Sequence, residues 1–125
     1  MNNFKEEELI ETSKEISSII GRCEKAQLKF SKGTSQYSLL TNRLKAMYIS
    51  KSLIDNLVVS SSNEVKYTKD ELVEAIKPIT SIINKCETAK LKFDYESTFY
   101  KRFNKMIKIM NIAKSLIISE ISQIN

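Results

Sequence analysis

Residues 16–30 read ISSIIGRCEKAQLKF, and residues 79–93 read ITSIINKCETAKLKF. The second stretch is the first displaced by 63 positions. Working outward, residues 8–57 lie over 71–120 without a gap, and 22 of those 50 positions are identical. Lys51-Ser52-Leu53-Ile54 returns as Lys114-Ser115-Leu116-Ile117. A gapless register of this length identifies an internal repeat and predicts two copies of one structural unit.

The apolar spacing makes each unit a pair of helices. Leu9, Thr12, Ile16, Ile19, Cys23, Ala26 and Phe30 follow alternating three- and four-residue steps. Leu72, Ala75, Ile79, Ile82, Cys86, Ala89 and Phe93 repeat them. Such steps place one apolar seam along a helix. The second helix of each copy carries Tyr37, Leu40, Leu44, Met47, Ile54 and Val58, matched by Tyr100, Phe103, Ile107, Met110, Ile117 and Ile121.

Polar breaks separate the helices. Residues 31–35 form a short turn with Ser and Thr available as N-caps, residues 60–63 end the first copy, and residues 94–97 form the last turn. Thr68 followed by Glu71 is a capping box that opens the third helix. Pro78, where the first copy has Glu15, predicts a tolerated kink in the third helix. Short turns imply antiparallel neighbours. A lone hairpin cannot cover its apolar face, so the two pack together. The predicted fold is all-α: an antiparallel up-down four-helix bundle of two duplicated αα-hairpins with pseudo-twofold symmetry. It forms one domain over residues 1–125, with hairpins at 5–60 and 68–124 and a linker at 61–67.

Composition agrees. The chain has 125 residues, 42% of them apolar, with two glycines and one proline. That excludes collagen-like chains and loop-rich scaffolds. No apolar run reaches the roughly 20 residues of a membrane span, and the acidic N-terminal stretch lacks the apolar core of a signal peptide. The expectation is a cytoplasmic protein that does not engage a membrane. The excess of lysine over arginine, with many isoleucines, points to an AT-rich bacterial or phage genome.

Histidine is absent. Without it, Ser-His and Cys-His nucleophilic catalysis and most zinc sites are excluded. The glutamates fall on helix flanks rather than at inward positions, so a carboxylate-bridged metal centre is not expected either. Cys23 and Cys86 occupy equivalent seam positions on diagonal helices. There their Cα atoms stand about 8–9 Å apart, beyond the ~7 Å that a disulfide spans, and they are expected as free, buried thiols. Lys51 and Lys114 fall on the apolar stripe. Lys51 is expected to snorkel to Glu11 or Glu15, and Lys114 to Glu74. No enzymatic activity, cofactor or metal follows from these residues. Tyr37 and Tyr100, opposite Phe30 and Phe93, are expected to be core plugs beside the two turns.

Two features exceed what a bundle needs. A second apolar stripe, about 130° from the core stripe at 100° per residue, carries Ile109, Ile112 and Leu116 on the fourth helix and Ala46, Ile49 and Leu53 on the second. A bundle helix that buries about half its circumference leaves this stripe exposed, so Ile49, Leu53, Ile109, Ile112 and Leu116 are expected to mediate homodimerisation. The second feature is the last turn. It gathers Tyr95, Phe99, Lys101, Arg102 and Lys105, where the first copy has Lys32, Gln36, Ser38, Leu39 and Asn42. These five are the expected partner-binding residues. The net charge of +5 is concentrated on the fourth helix, where five Lys/Arg face one Glu over residues 97–124. The functional expectation is a non-catalytic protein-binding module, of inhibitor, immunity or adaptor type, acting through exposed faces of the second and fourth helices. The alternative is nucleic-acid binding through the basic fourth helix.

Overall fold

The structure is a computed structural model that describes residues 4–59 and 66–124. Four helices follow in order: α1 (Glu6–Gln27), α2 (Ser35–Val59), α3 (Lys69–Lys90) and α4 (Thr98–Ser122). Each helix of the second half starts and stops 63 residues after its counterpart in the first. Among the described residues there is no strand. The break at 60–63 and most of the 61–67 linker lie outside the described residues.

Local chemistry fixes the helix ends. The Thr68 hydroxyl accepts from the Glu71 amide at 3.1 Å, and the Glu71 carboxylate accepts from the Thr68 amide at 2.8 Å. This reciprocal pairing satisfies two otherwise orphaned donors of α3. Thr34 caps α2 through the Tyr37 amide, and Ser97 caps α4 through the Tyr100 amide. Glu6, Glu7 and Glu8 open α1, where carboxylates favour the helix dipole. Gly33 adopts a φ of 93°, a left-handed turn conformation that side chains resist. Pro78 sits inside α3, which remains helical from Lys69 to Lys90.

Packing makes a four-helix bundle with an uneven cross-section. α1 packs on α2 and α3 on α4; α2 touches α3 and α4, and α4 also touches α1, whereas α1 and α3 do not meet. α2 and α4 therefore lie on the short diagonal, each with three neighbours. Their inner faces carry small, fully buried residues: Ala46, Ser50 and Ala113. Small side chains let helix axes approach closely. The Ser50 hydroxyl donates to the Ala46 carbonyl at 2.8 Å, so burying it leaves no orphaned donor.

This arrangement corrects the expected exposed stripe. Ile49, Leu53, Ile109, Ile112 and Leu116 are all buried within the chain. A helix with three neighbours buries a wider arc than one with two, and that extra arc is the second stripe. The seam residues Leu9, Ile16, Ile19, Cys23, Leu72, Ile79, Ile82 and Cys86 are buried as expected. Cys23 and Cys86 are free thiols on helices that do not touch.

The seam assignment fails at its ends. Phe30 and Phe93 were expected to close the core, but α1 stops at Gln27 and α3 at Lys90, and both rings are exposed in the turns. The axial register explains this. Aligned hairpins would set the start of α1 beside the end of α4. Instead Glu8 meets Lys108, and Glu11 and Glu15 meet Lys105, all in the first half of α4. The hairpins pack askew, so their two turns project separately and do not plug one shared end.

Because Ile112 is part of the core, Ile112→Ala should lower unfolding stability by about 2–5 kcal/mol. Chemical denaturation measures that loss. Light scattering should give the variant the same solution mass as the wild type.

Candidate functional site: the aromatic corner at the α3–α4 turn

Both turns begin with the same short run. Leu28-Lys29-Phe30 follows α1, and Leu91-Lys92-Phe93 follows α3. Leu28 is 87% exposed and Leu91 is 77% exposed, values rare for leucine in a chain with a well-formed core. They lie off the seam that ends at Ala26 and Ala89, so helical packing has no use for them.

The second turn builds further on this base. Phe93 stacks on Phe99 with ring centroids 5.0 Å apart, and Phe103 stands 6.1 Å from Phe93. Phe103 is half-buried against the core, so the stack runs from the interior to the surface. At the first turn Gln36 stands where Phe99 is, and Leu40 where Phe103 is. Tyr95, 72% exposed, and Phe99, 52% exposed, form the outer surface. Lys101 and Arg102 are also exposed. Aromatic faces held by stacking lose little conformational freedom on contact with a partner, and with neighbouring arginine they are typical anchors of protein interfaces.

Lys90 braces the base of the corner. Its ammonium lies 3.0 Å from Glu87, 3.1 Å from the Asn104 amide oxygen and 5.6 Å from the Tyr100 ring centre. The Glu87 hydrogen bond raises the Lys90 pKa. Tyr100 and Tyr37 are half-buried, as expected of side chains at the margin of the core.

The structure divides the five expected partner-binding residues. Tyr95, Phe99, Lys101 and Arg102 share the corner. Lys105 is drawn away from it: its ammonium bridges Glu11 at 3.0 Å and Glu15 at 3.1 Å on α1. Hydrogen bonds to Glu11 and Glu15 raise its pKa. Leu91 and Phe93 belong to the corner and were not singled out as binding residues. Their signal was legible: a leucine off the seam, identical in both copies, has no packing role in a helix.

Glu11 and Glu15 therefore face α4, which corrects the expected partner of Lys51. Lys51 instead pairs with Asp55 at 2.8 Å on its own helix and donates to the Ser13 hydroxyl at 3.2 Å, while Ser13 donates to Asp55 at 2.6 Å. Lys114 is half-buried and forms no ion pair among the described residues, so its expected link to Glu74 is absent too; Glu74 pairs with Lys77. The Ser13–Lys51–Asp55 cluster has the membership of a serine–lysine dyad. Its geometry is that of a clasp: Lys51 meets Asp55 at 2.8 Å, and Ser13 hydrogen-bonds both across the helix boundary. The cluster acts as a polar clasp between α1 and α2.

Elsewhere, burial pushes the Cys86 thiol pKa up, against an opposing pull from Arg43 and with a smaller rise from Glu87. A raised thiol is a poor nucleophile. Among the described residues, no group of three or more His, Cys, Asp or Glu converges, and no helix is long and apolar enough to cross a membrane.

No protein-family model matches this sequence, and no curated protein or solved structure matches it either.

Asp55 gives the clasp a pH signature. Burial works to raise its pKa, but the hydrogen bonds from Lys51 and Ser13, with the charge of Lys51, hold the carboxyl below its ordinary 3.8. A carboxylate with a depressed folded-state pKa stabilises the fold above its unfolded pKa, and that contribution is lost as pH falls through the folded value. Solvent screening keeps it small, because the Asp55 side chain is 41% exposed. Asp55→Asn should therefore cost about 0.5–1 kcal/mol at neutral pH. Urea unfolding of both proteins should show the difference disappearing well below pH 4.

Proposed function

We propose that this chain is a non-catalytic protein-binding module, of inhibitor, immunity or adaptor type, that engages its partner through the α3–α4 corner. The observation that carries this reading is the exposed aromatic stack. Phe99 rests on Phe93, Phe93 neighbours the half-buried Phe103, and Leu91 and Tyr95 in the same turn are largely exposed. Exposed apolar side chains fixed by a rigid backing suit an interface better than they suit a free surface. Lys92, Lys101 and Arg102 rim the patch and favour a partner with acidic groups around an apolar pocket. The faces of α2 and α4 that were expected to contribute lie in the core, so the binding surface contracts to the corner, and self-association through those faces has no exposed area to use.

The 63-residue repeat fits duplication of one hairpin, with a pseudo-twofold axis relating the copies. The second copy then diverged at its turn by gaining Phe99, Tyr95, Lys101 and Arg102. Two free thiols suit a reducing compartment, in keeping with a cytoplasmic location. Nucleic-acid binding by α4 is the weaker reading. Lys105 and Lys108 already neutralise carboxylates of α1, which removes two of the five cations from any row that tracks phosphates.

Affinity capture with the tagged chain from its source cells tests the reading. A specific protein should stay bound from 50 to 500 mM salt, because an apolar interface does not depend on released counterions. Phe99→Ser, at the centre of the patch, should weaken binding about thirtyfold, as expected for an interface anchor. Ile118→Ser, an exposed apolar residue near the other end of α4, should leave binding intact. Retention of nucleic acid alone, lost at moderate salt, would support the weaker reading instead.

A further inference from the structure

The α1–α2 turn has a surface of its own, separate from the α3–α4 corner. Leu28 stands 87% exposed at its start, the highest value for a large apolar side chain among the described residues. Phe30 follows at 39%. Lys25, Lys29 and Lys32 surround them in the chain; all three are exposed, and none forms an ion pair among the described residues. The charge here is of one sign. From Lys25 to Ile54 the chain carries six Lys or Arg residues and no Asp or Glu. The acidic residues that bound this run are both engaged: Glu24 accepts from the Tyr48 hydroxyl, and Asp55 accepts from Lys51 and Ser13. The α3–α4 turn differs, because Asp94 and Glu96 lie within it. The α2–α3 corner differs too. There Asn42 and Pro78, at the places of Lys105 and Glu15, stand beside a groove of about 780 Å³ whose lining mixes Lys45 and Lys77 with three carboxylates.

The two turns also differ in how their apolar groups are held. Phe93 and Phe99 stack at the second turn. At the first, Gln36 stands in place of Phe99, and Phe30 makes no ring contact among the described residues. A preformed aromatic stack beside an arginine suits one shaped protein surface. A leucine and a phenylalanine among lysines demand no particular shape from what they meet. Lysine is a compact point charge that accepts an anionic group without a fixed geometry. At a lipid surface, apolar side chains enter the acyl boundary while lysines stay at headgroup level. Two apolar groups with three cations give reversible surface contact, well short of an anchor.

We propose that the α1–α2 turn docks reversibly on an anionic lipid surface, through Leu28 and Phe30 in the acyl boundary and Lys25, Lys29 and Lys32 on the headgroups. The charge pattern sets this choice. These three lysines supply three positive charges in a chain whose net charge is +5, with no carboxylate among them to repel an anionic surface. The sequence expectation of no membrane contact rests on the lack of a spanning run, and contact by a turn requires no such run. None of these five residues belongs to the aromatic corner, so this site stands independently of the surface proposed above.

The probe is a vesicle of equal parts phosphatidylglycerol and phosphatidylcholine. Flotation should carry the full-length protein with this lipid, and vesicles of phosphatidylcholine alone should bind it about tenfold more weakly or worse. The chain has no tryptophan, so Leu28→Trp makes a single reporter at an exposed site. Its emission should shift to the blue on the anionic vesicles. Lys29→Glu with Lys32→Glu, and separately Leu28→Ser, should each weaken flotation about fivefold or more. These sites are exposed, so the variants should keep the wild-type circular dichroism and unfolding temperature. Leu91→Trp should show no shift, and Phe99→Ser should float as the wild type does, which separates this surface from the protein-binding corner. No flotation, equal binding to the neutral vesicles, a shift at Leu91→Trp without one at Leu28→Trp, or undiminished binding by either first-turn variant would each overturn the proposal. Capture by a single-stranded oligonucleotide with the vesicles left unbound would overturn it too, and would assign the lysines to nucleic acid.

Discussion

The contact between α2 and α4 governs the rest of the molecule. Ala46 and Ser50 on one helix and Ala113 on the other are fully buried, and their size lets the two backbones approach. Helices on a short diagonal each gain a third neighbour, so Ile49, Leu53, Ile112 and Leu116 become core. The same contact holds α1 and α3 apart, because they occupy the long diagonal. That separation keeps Cys23 and Cys86 from forming a cross-link. The exposed leucines and phenylalanines of the turns follow instead from the axial register of the hairpins, set where Glu8 meets Lys108 and Glu11 and Glu15 meet Lys105.

Segments that resemble each other at a spacing of 63 residues do not produce two equal surfaces. At one inter-hairpin corner a single lysine between two glutamates closes the space; at the other, asparagine and proline leave it open. At one turn a glycine with positive φ shapes a plain connection; at the other, aromatic residues replace polar ones and build a stack. In each case a few substitutions on an unchanged backbone plan separate a filled corner from a groove and a bare turn from an aromatic knob. The helix bounds, 63 residues apart throughout, show that these changes leave the plan itself intact.

Helix number, order and starts were legible because they rest on short-range chemistry. Thr68 with Glu71 spells a cap within four residues, and the seam from Leu9 to Cys23 repeats at a helical period. The exposed corner was legible in part: Tyr95, Phe99, Lys101 and Arg102 stand out against the first copy. Lys105 was misread because its carboxylate partners are on α1, about ninety positions away in the chain. Phe30 and Phe93 were misread because periodicity continues past the last helical residue and does not register that the helix has ended. The groove was not visible at all, since it depends on which carboxylates face which helix.

By itself, the sequence determined that this protein is four helices in two related hairpins, with a core along their seams and no histidine chemistry. Local hydrogen bonding, apolar spacing and composition suffice for that, because each acts within a turn or two of the chain. Tertiary structure alone decided which diagonal is short, and with it which apolar stripe is core, which cations are neutralised and which turns stand free. Those outcomes depend on how closely two helix surfaces can approach and in what axial register. Both are set by side chains far apart in sequence, here the small buried residues of α2 and α4 and the pair of Glu8 with Lys108.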